Sequence, residues 1–208
     1  MLRKYLIESM TQYELAHKTA QRNAALPIEQ GGLGLHPNNT AQERANAMGY
    51  TTKAYHGTTH NFTEFKKVIE SKTPKDSYYF SSSPNVASTY ADPDNAKLDF
   101  PTKPTIGGHI IPVLLKHNKV KNVNAKGDRW NDIVHRYKNG NYDTFTIDDY
   151  ARIAKDEGKQ GLTVKNTVDT HDASNIKSHI YVTFKPHLIR SIHAAFDPMR
   201  QHESDIMA

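Results

Sequence analysis

The sequence predicts an α+β domain that follows a helical segment at the N-terminus. The early part of the chain shows helical periodicity, whereas the later apolar segments are short and strand-like. Irregular loops separate these segments without a regular β–α–β alternation, which favours antiparallel sheets over a doubly wound parallel sheet. With 208 residues, the chain suits one domain with an appendage. We therefore expect a helical extension at residues 1–50 and the main domain at residues 51–208.

The N-terminal extension is expected to contain two helices. Apolar residues recur every three or four positions over residues 2–24, which predicts an amphipathic helix that a proline and the glycines of residues 31–34 bring to an end. Thr40 and Glu43 have the spacing of a capping box, so we expect a second helix over residues 41–48. A phosphate-binding loop is an alternative interpretation of the glycine-rich stretch, although no strand precedes the stretch and no helix follows it directly.

The main domain is expected to combine five strands with two helices. Short strand-like pieces occur at residues 53–56, 77–81, 109–115, 162–164 and 180–184. The first helix, over residues 84–91, has a serine cap and Pro84 in its first turn, where a proline is favoured. The second is expected near residues 147–156, with Asp148 and Asp149 in its first turn to complement the helix dipole.

The composition excludes several classes of chemistry. Because the chain has no cysteine, disulfides, thiolate metal sites and a cysteine nucleophile are excluded. No run approaches the ~18 apolar residues that a membrane span needs, and the N-terminus lacks the apolar core of a signal peptide, so we expect no membrane partner. The formal net charge of +5 comes with scattered lysines, which indicates a solvated basic surface more than a dedicated nucleic-acid face.

Three segments carry the residue types of a ligand site, namely residues 54–59, 79–91 and 180–191. In the first segment, His56 and Gly57 put an imidazole beside bare backbone that a planar ligand can approach closely. In the second, Tyr79 ends a strand and Tyr90 lies on the helix that follows, so two phenol faces can surround one slot. A positively charged pyridinium ring suits such a slot, through stacking and cation–π attraction of ~1–2 kcal/mol.

These segments resemble the three motifs of the ADP-ribosyltransferase superfamily, specifically its H-Y-E branch of diphtheria-toxin-like and poly(ADP-ribose) polymerase-like enzymes. The pair of Tyr79 and Phe80, with Tyr90 eleven positions after Tyr79, matches the spacing of that branch. The chain is most similar to the ADP-ribosyltransferase-like domains of phage and mobile-element polyvalent proteins. Their Y-H-G-T segment recurs here, as do their closing segments, at residues 184–191 and 196–198.

The resemblance implies an ADP-ribosyltransferase-like split antiparallel β-sandwich over roughly residues 50–200, with NAD as the co-substrate. It implies that His56 hydrogen-bonds the ribose hydroxyls in the adenosine half of NAD. The backbone of Gly57, followed by Thr58, is expected to bind the nicotinamide carboxamide, and the two tyrosines are expected to sandwich the nicotinamide ring. Cleavage of NAD passes through an oxocarbenium-like state, in which positioning and electrostatics matter more than a strong base.

Two positions depart from the family pattern. The catalytic glutamate of the third motif aligns with Ile180, whose side chain is expected to face the nicotinamide ribose but carries no charge to stabilise it. A serine that contacts the carboxamide aligns with Ala87, so the adjacent Ser88 is the candidate. Asp169 or Asp172 could supply a substitute carboxylate from a nearby loop, and the alternative is that both are ordinary loop acids.

The resemblance implies NAD-dependent mono-ADP-ribosyl transfer to a protein or nucleic acid, with His56, Tyr79 and Asp169 as the catalytic residues. It also implies a phage-encoded effector that acts in the cytoplasm of a bacterial host. Three alternatives stay open: a catalytically silent domain that binds NAD or ADP-ribose, a virion-associated interaction module, and removal of an RNA 2′-phosphate. His56 and His60 have the spacing of zinc ligands on a helix, but the residues between them are poor helix formers, so no metal is expected.

Overall fold

The computed structural model describes residues 11–66, 76–92, 107–172 and 174–208. Within these residues the α-helices are α1 Gln12–Ala25, α2 Ala41–Ala47, α3 Pro84–Tyr90 and α4 Ile147–Asp156. The strands in the same ranges are β1 Thr52–Thr58, β2 Tyr78–Ser81, β3 His109–Leu115, β4 Val120–Asn124, β5 Ile133–Arg136, β6 Tyr142–Phe145, β7 Gly161–Val168, β8 Lys177–Thr183 and β9 Ile189–Ser191. Short 3₁₀ turns occur at Ile28–Gln30, Pro186–Leu188 and Pro198–Arg200. No helix in the described ranges has the length and apolar character to cross a membrane.

Most of the described strands form one sheet, in the order β4-β7-β8-β2-β1-β3-β9, while β5 and β6 form a separate hairpin. This large sheet with several helices confirms the α+β class. Neighbouring strands run antiparallel except β4 and β7, which are parallel and depart from the antiparallel pairing expected. The chain between these two strands contains the hairpin and α4, and so is long enough for the crossover that parallel strands require.

The sheet is split between β1 and β2. Over their described lengths these strands pair at a single position, Tyr55 with Ser81, whereas β1 and β3 pair along the whole of both strands. Near the split, the imidazole of His56 donates from Nδ1 to the carbonyl oxygen of Tyr79 over 2.9 Å. A side-chain hydrogen bond therefore links the two strands where the backbone ladder ends.

The two faces of the sheet bury different apolar clusters, as strand β8 shows. Ile180 and Val182 belong to a cluster that includes the apolar face of α4. Tyr181, which lies between them in the sequence, packs against a second cluster that contains Phe80. Successive side chains of a strand point to opposite faces, so this alternation identifies an α4 face and a Phe80 face of the sheet.

The helices of the N-terminal extension pack against the C-terminal segment. Arg44 of α2 is buried and donates from Nε to the carbonyl oxygen of Ala195 over 2.8 Å. Tyr50 and Phe196 belong to a third apolar cluster that joins the same two segments. Helix α1 covers the described part of the expected helix of residues 2–24 from Gln12 and ends one residue later, at Ala25, while residues 2–10 of that expectation lie outside the described residues. The domain boundary after Tyr50 stays a prediction.

The glycine-rich stretch after α1 is a tight turn whose amides are already used. The amides of residues 31–34 all donate to carbonyl oxygens of residues 24–28. A Cβ atom on Gly32 would lie 2.0 Å from the carbonyl oxygen of Leu26, so a side chain has no room there. A phosphate cradle needs amides that are free to donate to the ligand, and this excludes the phosphate-loop alternative.

Candidate active site

Tyr79 and Asp148 form the first of two phenol–carboxylate pairs near the α4 face of the sheet. Tyr79 lies in β2, and its hydroxyl donates to Oδ1 of Asp148 over 2.6 Å. Asp148 lies in the first turn of α4, which begins with a capping box formed by Thr146 and Asp149. Both acids are thus at the start of the helix, as expected, but they form different hydrogen bonds. Asp149 caps the helix, whereas Asp148 accepts the hydrogen bond from the tyrosine.

Tyr90 and Asp169 form the second pair. Tyr90 is the last residue of α3, and its hydroxyl donates to Oδ1 of Asp169, which directly follows β7. Asp169 is only 8% exposed, so its carboxylate is largely withdrawn from water. The ring of His171 stands edge-on to that of Tyr90, with 4.6 Å between ring centres. Asp172, the other substitute considered, is exposed and accepts hydrogen bonds from Ser174.

Both carboxyl groups have shifted acid–base properties. Burial raises the pKa of Asp169, and the hydrogen bond from Tyr90 offsets this only in part. Burial also raises the pKa of Asp148, while the Tyr79 hydroxyl and the charge of Arg152 act to lower it. Burial and the neighbouring Asp148 raise the pKa of the Tyr79 phenol, which therefore stays protonated and donates. Perturbed titratable groups of this kind concentrate at functional sites.

His56 lies on the other face of the sheet, in an aromatic cluster. Its ring centre is 5.0 Å from that of Phe65, 5.5 Å from that of Phe80 and 5.9 Å from that of Phe62. Burial lowers the pKa of His56, so the imidazole is neutral at physiological pH, and its Nδ1 proton is committed to the carbonyl of Tyr79. The structure thus connects His56 to the backbone of Tyr79 and does not bring its ring between the two phenols.

Gly57 allows helix α3 to pack directly on β1. A Cβ atom at this position would lie 1.8 Å from the carbonyl oxygen of Ala87 and 3.1 Å from Cβ of Tyr90. No side chain fits in that space, so the glycine is required by the fold. A planar ligand was expected to approach the bare backbone of Gly57. In the structure, helix α3 makes this close approach, and the contact positions Tyr90.

Thr58 and Ser88 make local hydrogen bonds. The hydroxyl of Thr58 accepts from the amide of His60 over 3.1 Å, and that of the exposed Ser88 donates to the Asn85 carbonyl over 2.7 Å. Their expected roles toward NAD stay predictions. His60 follows a strand and not a helix, so it lacks the helical spacing of a zinc site. In the described ranges, no group of three or more His, Asp or Glu side chains could hold a metal ion.

Ile180 belongs to the core. It pairs in register with Ser81 and with Val164, and only 2% of its surface is exposed. The same apolar cluster supports Tyr79 and Tyr90. Ile180 therefore lies on the face that carries the two phenol–carboxylate pairs, where it contributes packing and no charge.

The sequence motifs missed Asp148, which the fold brings to Tyr79 from 69 positions away. Its only signal in the sequence was an acid pair at a helix start, and a capping role accounts for such a pair without a ligand. With Asp169 and Tyr90 it completes a set of two phenol rings, one buried carboxyl group and one half-buried carboxyl group. Aromatic faces beside negative charge are suited to a cationic ligand.

Comparison with known proteins identifies a family. A family model described as ADP-ribosyltransferase in polyvalent proteins matches residues 46–196, a range that contains both phenol–carboxylate pairs, His56 and Ile180. No curated protein and no solved structure matches the chain.

Proposed function

The chain belongs to the family of ADP-ribosyltransferases in polyvalent proteins, and on this premise we propose that it transfers a single ADP-ribose unit from NAD to a macromolecular acceptor. We also propose that it belongs to the H-Y-E branch, which the spacing of Tyr79 and Tyr90 supports. The acceptor is a protein or nucleic acid of a bacterial host, met in the cytoplasm by a phage-encoded effector. The buried carboxylate of Asp169 against Tyr90 carries the proposal, since the glutamate position of the family is Ile180.

Tyr79 and Tyr90 are the residues proposed to hold the nicotinamide. NAD carries its positive charge on this ring, and a phenol face attracts a cation by about 1–2 kcal/mol when water is excluded. The carboxylates of Asp148 and Asp169, each tied to one phenol, add negative charge beside both rings. Replacing Tyr90 with Ala is expected to weaken NAD binding by about 1–2 kcal/mol. An unchanged dissociation constant for the folded variant argues against this placement.

Asp169 is the group proposed to assist the chemistry. The bond between the nicotinamide nitrogen and ribose C1 breaks, its electron pair leaves with nicotinamide, and positive charge develops on the ribose. A fixed carboxylate stabilises that charge. A nucleophile of the acceptor then bonds to C1 and loses a proton, and burial, which raises the pKa of Asp169, makes this residue a stronger base for that proton.

The same arrangement supports transfer of one ADP-ribose and no chain extension. Polymer growth requires a group that activates a hydroxyl of the ADP-ribose already attached, and the family glutamate position holds the apolar, buried Ile180. We therefore expect single modifications on the acceptor and no polymer. The roles of Gly57, Thr58 and Ser88 toward the carboxamide and of His56 toward the adenosine ribose belong to the same proposal.

Nicotinamide release from NAD tests the proposal, with labelled NAD and cell lysate supplying the acceptor. Asp169→Asn is expected to lower the rate by about 10²-fold or more, because it removes charge and keeps shape. Asp172→Asn, at an exposed position three residues away, is the matched control and is expected to change the rate less than threefold. Full activity of Asp169→Asn refutes the role of Asp169. Calorimetric NAD binding without nicotinamide release identifies a silent binding domain instead.

A further inference from the structure

A cavity of about 250 Å³ lies at the end of the sheet opposite to Asp169. It lies where β1, β4 and β7 begin and β3 ends. Gln160 of its wall directly precedes β7, and Asp169 directly follows the same strand. A strand rises about 3.3 Å per residue, so the cavity and Asp169 are separated by about 25–30 Å along β7. None of the described lining residues belongs to either phenol–carboxylate pair, so the cavity is a separate site, which the proposed function does not use.

The walls of the cavity carry positive charge. Lys116, Lys119, His187 and His202 line it, and its described lining contains no Asp or Glu. In the described part of the chain neither lysine forms an ion pair, whereas the neighbouring Lys121 is held by a carboxylate. Lysine ammonium groups that share a concave wall without a carboxylate raise the local positive potential and attract anions.

A buried arginine next to the cavity adds to this positive potential. Arg190 is fully buried, and its guanidinium donates to the backbone carbonyls of His187 and Gln201, both of which line the cavity. The nearest acids, Glu203 and Asp205, are engaged in ion pairs with Arg200. The charge of Arg190 is thus spread over carbonyl oxygens and is not cancelled by direct contact with a carboxylate.

The pKa of His187 is lowered by its surroundings. Burial is the largest cause, and the positive charges of Lys185, His202, Arg190 and Lys116 lower the pKa further. The rings of His187 and His202 are near each other, with 6.1 Å between their centres. A bound anion would relieve the mutual repulsion of these groups.

We propose that this cavity binds a phosphate monoester, as carried by a nucleoside monophosphate or by the 5′ end of a nucleic-acid strand. Its volume lies below the ~300–1,000 Å³ of pockets for drug-sized ligands, so it suits one phosphate with part of a sugar and not a dinucleotide. Lys116 and Lys119 supply the charge-assisted donors for the phosphate oxygens. The amides of Gln160 and Gln201, also in the lining, are suited to sugar hydroxyls.

Titration of the full chain with adenosine 5′-monophosphate, followed by calorimetry and by the imidazole NMR signals, tests this site. The wild type is expected to bind saturably, with shifts at His187 and His202. The double variant Lys116→Gln with Lys119→Gln is expected to bind at least tenfold more weakly. Lys121→Gln, an exchange of the same chemistry at a lysine outside the cavity, is expected to bind as the wild type does. Thermal melting checks that both variants fold.

Further probes identify the source of the phosphate. Tighter binding of a 5′-phosphorylated oligonucleotide than of the mononucleotide supports a strand end, and the reverse order supports a free nucleotide. Equal binding of the unphosphorylated oligonucleotide overturns the proposal, as does wild-type affinity in the double variant or the absence of saturable binding. Nicotinamide release is expected to be unchanged in the double variant, so failure of this site and failure of the proposed transferase activity are distinguishable.

Discussion

His56 is a motif residue whose position is explained by its contacts within the fold. A polar residue kept for ligand geometry costs little stability when removed, whereas a buried histidine leaves packing and partners unsatisfied. The imidazole of His56 packs among phenylalanine rings and satisfies the carbonyl of Tyr79. His56 therefore positions the strand that carries Tyr79, whatever it also contributes toward NAD.

We expect His56→Ala to lower the free energy of unfolding by about 2–3 kcal/mol, from the cavity and from the unsatisfied carbonyl of Tyr79. His56→Asn keeps an N–H donor near the position of Nδ1 and is expected to lose less. His193→Ala, at an exposed histidine, is expected to change stability by less than about 0.5 kcal/mol. Urea unfolding measures all three. A stable His56→Ala protein without activity would instead assign His56 to the ligand alone.

Asp169 gives a second prediction at the residue scale, in the pH dependence of stability. Its pKa is raised on folding by burial, so the folded state binds the proton more tightly than the unfolded state. Its contribution is fully present below the pKa of the unfolded group and is lost as pH rises through the higher folded value. Asp169→Asn removes this loss. We expect the variant to match the wild type near pH 4 and to be more stable at pH 7.

Asp172 is the control of opposite sign. Hydrogen bonds from Ser174 lower its pKa, so its contribution is present at neutral pH and is lost as pH falls. Asp172→Asn is therefore expected to be slightly less stable than the wild type at pH 7 and equal to it at low pH. Urea unfolding at several pH values compares the two variants. Parallel pH profiles for both would show that burial does not control Asp169.

At the scale of elements, local signals predicted the helices well and the sheet incompletely. Caps mark helix ends directly, and the expected helix near residues 147–156 coincides with α4. Strand β4, with the sequence VKNVN, and the β5–β6 hairpin were missed because their exposed faces carry polar residues that resemble loops. The parallel pairing of β4 with β7 depends on chain path, which periodicity does not encode.

The cap of α4 should couple helix stability to the site. Thr146 begins the helix through its capping box, and Asp148 extends from the first turn to Tyr79. We expect Thr146→Ala to cost about 1 kcal/mol of stability and to lower nicotinamide release several-fold. Thr40→Ala removes the same type of cap from α2, so it is expected to cost as much stability but to leave the rate unchanged. Equal rates in both variants would separate Asp148 from the chemistry.

At the scale of the molecule, the candidate site is assembled from elements far apart in the chain. The motifs identified Tyr79 and Tyr90 because their spacing is local, within one strand–helix unit. Asp169 could be named from the sequence only as one of two loop acids, and the fold decides between them by burying Asp169 and exposing Asp172. The positive cavity could not be predicted from the sequence because its lysines and histidines come from three separate segments. Convergence of distant residues is a property of topology, and local patterns do not report it.

The last prediction concerns whether the N-terminal extension folds independently. Helix α2 of the extension shares an apolar cluster with the C-terminal segment, and the buried Arg44 donates to the carbonyl of Ala195 and to Asn39. An appendage with its own stability would unfold in a separate step, whereas elements that share a core unfold together. We therefore expect one transition, seen at the same urea concentration by far-UV circular dichroism and by fluorescence of Trp130, which hydrogen-bonds to β7 at Val168.

Two arginine variants make this test quantitative. Arg44→Ala is expected to cost about 3 kcal/mol, because it leaves several buried hydrogen-bond partners unsatisfied, and to shift both signals equally. Arg22→Ala, at an exposed position on α1, is expected to shift neither by more than about 0.5 kcal/mol. A circular dichroism transition that moves in Arg44→Ala while Trp130 fluorescence stays fixed would make residues 1–50 a separate unit. Coincident shifts would mean that the extension stabilises the sheet on which both phenol–carboxylate pairs depend.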